Sequence, residues 1–117
     1  MPKIVDGAKF NTVGVTPGAA GTTVYTVPAN HAAIVRHFSL SNNNSGAKKV
    51  TVQYYDSKST TYYFIAQDLS LAANSYINIL NSNVLALNAS DKIIATAETA
   101  GTISALVSVE EYYDPNR

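Results

Sequence analysis

The 117-residue chain has no cysteine, and only 14% of its residues are charged. Without cysteine there are no disulfides, no thiolate metal ligands and no thiol nucleophile. The eight basic and eight acidic side chains cancel to a formal charge of zero. A neutral, charge-poor surface lacks the basic face that nucleic acid or an anionic bilayer requires. It fits a protein held in an assembly better than a free monomer, because near-zero net charge promotes association. No apolar run approaches the roughly 20 residues of a membrane-spanning helix. "MPKIVDGAKF" lacks the apolar core of a secretory signal, so the N-glycosylation patterns at Asn43 and Asn88 read as turn residues.

Familiar catalytic and metal patterns are missing too. His31 and His37 would lie roughly 20 Å apart in an extended strand, and "VPANHAAIVRHFSLS" holds no acid to complete a ligand set. There is no G-x-S-x-G elbow for a serine nucleophile and no glycine-rich turn opening a helix for phosphate. Glu110 and Glu111 are adjacent, so in a strand they point to opposite faces and cannot act as a carboxylate pair. The expectation is a non-enzymatic protein with no catalytic, cofactor or metal site.

What is present is a period of two. In "KKVTVQYYD" (48–56), Val50, Val52 and Tyr54 face one way and Lys49, Thr51, Gln53 and Tyr55 the other. In "GTISALVSVEEYY" (101–113), Ile103, Ala105, Val107 and Val109 alternate with Ser104, Leu106, Ser108 and Glu110. Similar β-branched or aromatic runs occupy 22–27, 32–41, 60–66, 75–80, 83–87 and 91–98, bounded by Asn, Gly, Ser, Asp or Pro. About eight strands at a spacing of about ten residues predict an all-β antiparallel sandwich. "DSKS" (56–59) and "TAGT" (99–102) read as hairpin connections. "DLSLAAN" (68–74) reads as a helical turn or a crossover between sheets. Residues 1–21 alternate weakly and read as an extended N-terminal arm, either held by a neighbouring subunit or packed on its own domain, ahead of a single domain at 22–117.

Two features mark a surface for contact. Tyr54/Tyr55, Tyr62/Tyr63 and Tyr112/Tyr113 are three tyrosine pairs, and in a strand each pair sends one ring to each face. The outward rings, with Phe64, would form an aromatic surface suited to a protein interface and able to stack on sugars. Arg36 falls by alternation on the face of Ile34, Phe38 and Leu40, with His37 on the opposite face beside Val35 and Ser39. Either a bend or bulge turns Arg36 outward, or it pairs across a subunit boundary. The candidate interface residues are therefore Arg36, His37, Tyr55, Tyr62, Phe64, Tyr112 and Tyr113.

One longer pattern runs through residues 22–113. "YTVPA" closes a strand and a long strand ends in "SN". A spacer follows, then "LNASDKI" and a final strand ending "SVEE". Together these resemble a class of small virion proteins of tailed bacteriophages. The resemblance implies a jelly-roll-like sandwich that works by binding other virion subunits, with no catalytic residues to carry over. It implies a place in the virion, assembled in the host cytoplasm. The first role it implies is capsid decoration (cement) on the major capsid protein, as a homo-oligomer such as a trimer. A collar or fibre-attachment subunit on neck or tail proteins is the second. A carbohydrate-binding module for host attachment is the reading from another class.

Overall fold

A computed structural model describes residues 9–113, and among them the chain forms nine strands and no helix. They are β1 (Lys9–Val15), β2 (Thr22–Thr26), β3 (His31–Asn42), β4 (Lys48–Asp56) and β5 (Thr61–Leu71), followed by β6 (Tyr76–Asn78), β7 (Leu85–Leu87), β8 (Lys92–Ala97) and β9 (Ile103–Tyr113). The first sheet runs β1-β9-β3-β6, with β7 also paired to β3, and the second runs β2-β8-β4-β5. Every pairing is antiparallel.

The order has a simple origin. The chain is one long hairpin whose tip is the loop 57–60, with β4 against β5, β3 against β6 and β7, β2 against β8, and β1 against β9. Rolling that hairpin brings β9 beside β3 and β8 beside β4, which closes a jelly-roll sandwich.

Alternation builds the core between the sheets. Val35, Phe38, Leu40, Ile103 and Val107 of the first sheet meet Val50, Val52, Ile93 and Ala95 of the second, all fully buried. β-branched side chains dominate because a pleated, half-buried surface accepts them at little rotamer cost.

Four details depart from the sequence reading. Part of the expected arm is a strand of the sandwich: Lys9–Val15 pairs along its whole length with β9, from Lys9 against Glu111 to Val15 against Ala105. Its alternation is weak because most of its side chains are exposed on both faces. Residues 1–8 of that arm lie outside the described residues. Of the two readings of 68–74, the crossover is the one observed, since the chain passes there from β5 of the second sheet to β6 of the first; it begins late, because β5 continues to Leu71, with Asp68 at a φ of 50°. "TAGT" joins β8 to β9, which belong to different sheets, so it is a crossover turn. Gly101 takes a φ of +83° there, a backbone that other residues rarely adopt. Finally, β3 changes face midway. Its register against β9 steps from Val35–Val109 to His37–Ser108, leaving Arg36 as the extra residue of a bulge. Val35 is therefore buried and Ile34 only half-buried, the reverse of an unbroken alternation.

Candidate functional site

Six of the seven candidate interface residues fall into two groups on opposite outer faces of the sandwich, and Tyr113 lies apart from both at the end of β9. On the second sheet, β4 turns Gln53 and Tyr55 outward, and the β4–β5 register sets Phe64 across from Gln53 and Tyr62 across from Tyr55. The Tyr55 and Tyr62 rings meet at 4.7 Å between centroids. Lys92 lies opposite Tyr55 on β8, with its Nζ 5.5 Å from that ring's centroid. Tyr62 is 53% exposed and Phe64 57% exposed. The result is an aromatic ridge beside one cation on a sheet face. Rings of this kind offer large contact area at small entropic cost.

Arg36, His37 and Tyr112 occupy the outer face of the first sheet. The bulge turns Arg36 to solvent, and its Nε forms an ion pair with Glu110 Oε1 of the same chain. Glu110 also accepts a 2.8 Å hydrogen bond from the Tyr112 hydroxyl. The Arg36 bond, and then the Tyr112 bond, hold the Glu110 carboxyl below its ordinary value. The same carboxylate pushes the Tyr112 phenol up. Of the two readings of Arg36, the bulge is the one observed. His37 sits half-buried against Ser108. Tyr113, at the end of β9, stands edge-on to His31 at 5.5 Å, and the His31 Nδ1 lies 2.8 Å from the Ala29 carbonyl oxygen. Among the described residues no three His, Asp or Glu side chains converge as a metal site. Glu111 takes the face opposite Glu110 and accepts a 2.5 Å hydrogen bond from the Tyr25 hydroxyl. Burial, and then that bond, push the Tyr25 phenol well above its ordinary value.

Two further features lie outside the residues that the sequence singles out. Phe10 is 78% exposed on the outer face of β1. The signal for it is the alternation of Val13 and Val15, which reach the core, with Thr12 and Gly14 on the face of Phe10. The second is Asp91, which is fully buried at the start of β8. Its Oδ1 accepts the Ser57 N–H and hydroxyl, both at 2.9 Å. Its Oδ2 accepts the Tyr54 hydroxyl at 3.0 Å and the Asn88 N–H at 2.9 Å. Burial alone would raise this carboxyl, but the donated hydrogen bonds outweigh it and hold it below 3.8. Asp91 thus ties the tip of the β4–β5 hairpin, next to the aromatic ridge, to the body of the second sheet.

No protein-family model matches the sequence, and no curated protein matches it. The fold is similar to a chain from Bacillus endospore appendages, which form disulfide-linked pili. That match covers 97% of both chains at 12% identity, with a TM-score of 0.55, and bears on fold alone. The present chain has no cysteine with which to form such links. A pentameric capsid protein from metagenomic phage sequences aligns over 91% of this chain and 65% of its own, at 17% identity and a TM-score of 0.44. A chain of the cyanophage Pam1 capsid aligns over 98% and 91%, at 19% identity and a TM-score of 0.41. At those TM-scores the two capsid proteins carry no argument about role.

Proposed function

We propose that the chain is a non-enzymatic structural subunit of a tailed-phage virion, acting as a capsid decoration protein that stabilises the shell through its outer sheet faces. The observation that carries this reading is the Tyr55–Tyr62–Phe64 ridge, exposed on a sheet face of a chain with zero net charge. An exposed aromatic cluster on a charge-poor protein has a ready use as the buried centre of a protein interface. The pattern over residues 22–113 supplies the virion context. The major capsid protein is the first partner, neck or tail proteins are the second, and the chain acts as a homo-oligomer in the virion.

The test is binding of the purified protein to emptied heads of the parent phage. Saturable binding that raises the heads' resistance to heat is the expected result. Replacing Tyr62 and Phe64 together by alanine weakens it at least roughly tenfold, the loss of two anchor rings, with the fold intact by circular dichroism. Binding to tails but not heads would move the subunit to the neck or tail. Binding to neither would end the virion reading.

One observation favours a second reading, a sugar-binding module: Gln53 lies on the same face, across from Phe64, and supplies an amide beside the rings on which a sugar would stack. That reading predicts a change in tyrosine fluorescence with host polysaccharide, abolished by Tyr62→Ala. An unchanged spectrum across a broad glycan panel would dispose of it.

A further inference from the structure

The edges of the two sheets are not protected alike. β5 carries two register shifts against β4 and a positive φ at Asp68. β2 is five residues long with a register shift of its own. β6 and β7 are three residues each, separated by 79–84. Bulges and short edges are the usual guards against pairing with another chain. β1 has none of them. It pairs with β9 through seven consecutive residues without a shift, contains no proline, and carries a single charge, Lys9, at its end. Among the described residues its outer edge is the end of the first sheet and presents a regular row of backbone donors and acceptors.

We propose that β1 pairs with β1 of a second copy, antiparallel about a two-fold axis at Thr12, so that two first sheets become one continuous sheet. In that register Lys9 faces Val15, Phe10 faces Gly14, Asn11 faces Val13 and Thr12 faces itself. All seven residues pair, whereas a two-residue slip leaves five and sets Phe10 against a Thr12 or removes it from the pairing. No like charges are opposed.

Shape argues for the same register. Phe10 and Gly14 share the outer face, where Phe10 is exposed and Gly14 leaves the surface low. A Cβ at position 14 would lie 3.4 Å from Leu106 Cδ1, so the space above that glycine opens directly on Leu106. A groove of about 400 Å³ is lined there by Gly14, Thr16, Ser39, Ser41 and Leu106. Across the two-fold axis the Phe10 ring of one copy lies over the Gly14 of the other and covers its Leu106, which is otherwise 41% exposed. An aromatic ring set across from a strand glycine stabilises a sheet edge, and the symmetry makes the contact twice. The inference stands apart from the virion reading, since it needs only this strand and a second copy.

Because the chain has no cysteine, a single introduced thiol reports the register. Thr12→Cys should give disulfide-linked dimers on oxidation, while Ser104→Cys, on the same outer face but away from the edge, should not. In sedimentation the full chain should be a dimer. Phe10→Ala should raise the dissociation constant roughly tenfold or more, equivalent to about 1.4 kcal/mol, and Thr12→Lys should give monomers, both with an unchanged circular dichroism spectrum. A monomeric full chain at roughly 0.1 mM, a concentration at which even weak pairing shows, would overturn the proposal. So would an oligomer indifferent to Phe10→Ala and Thr12→Lys, or a dimer in which Thr12→Cys fails to cross-link.

Discussion

Replacing Asp91 by alanine should be among the most damaging single changes to the fold. The carboxylate is fully buried and accepts four hydrogen bonds from three residues. In Asp91→Ala the Ser57 and Asn88 N–H groups lose this acceptor at a part-buried site. Each such loss costs about 1–3 kcal/mol. The Ser57 hydroxyl keeps the Ala89 carbonyl at 2.9 Å, and half-buried Tyr54 can turn toward solvent, so these two add less. The sum is about 3–5 kcal/mol, a large part of the roughly 5–15 kcal/mol that holds a domain of this size. At about 4 °C per kcal/mol, Tm should fall by about 12–20 °C. Asp91→Asn keeps one acceptor oxygen but turns an NH2 toward the Asn88 N–H, so it should cost less, about 2 kcal/mol. Proton linkage gives a second readout. The folded carboxyl sits below 3.8, so its contribution is full above that pH and is lost as pH falls through the lower folded value. Urea unfolding at neutral pH and at pH 3 measures both effects. An Asp91→Ala variant within about 1 kcal/mol of the parent, or an Asp91→Asn variant with the parent's full acid sensitivity, would show that this carboxylate does not hold the hairpin tip.

Two other perturbations follow from buried polar groups. Asn42 is 1% exposed, and its Nδ2 lies 2.9–3.2 Å from the carbonyls of Gly46, Leu71 and Ala72, joining the β3–β4 turn to the β5–β6 crossover. Asn42→Ala should cost about 2–3 kcal/mol in denaturant unfolding, and a loss below about 0.5 kcal/mol would show that water replaces the amide there. Tyr54 is pushed up to about 12 by burial and then by its bond to Asp91, and Tyr25 is pushed higher still. Their folded values exceed the ordinary 10.0, so their contribution is full below pH 10 and is lost as pH rises through the folded values. Ultraviolet titration should find these two phenolates forming only well above pH 10 and together with unfolding. Ionisation of all eight tyrosines in one transition near pH 10 would contradict it.

Sheet class and most strand positions were legible because a half-buried strand writes its two faces into alternate residues. Val50, Val52 and the run Ile103 to Val109 needed nothing more than that period. The signal failed where its physical cause is absent. Along β1 most side chains are exposed, and only Val13 and Val15 reach the core, too short an alternation to mark a buried face. At Arg36 the strand carries one extra residue, and every parity assigned across it reverses. Which sheet a strand joins was illegible as well, since Gly101 suits a crossover turn as readily as a hairpin. Of the candidate interface residues, Tyr55, Tyr62 and Phe64 share one outer sheet face, but alternation does not set Tyr62 and Phe64 apart by exposure, since Tyr63 between them is 51% exposed as well. Asp91 was invisible because "NASD" reads as a polar turn, and only the folded chain brings Ser57 and Tyr54 to it.

In the proposed role this chain is a structural part of a phage particle, bound to its shell. Quantitative mass spectrometry of purified particles, intact and as tailless heads, tests it most directly. Hundreds of copies per particle, retained on the heads, are expected, because a decoration protein follows the symmetry of the shell. About a dozen copies lost with the tails would contradict the decoration role, and absence from purified particles would contradict any place in the virion.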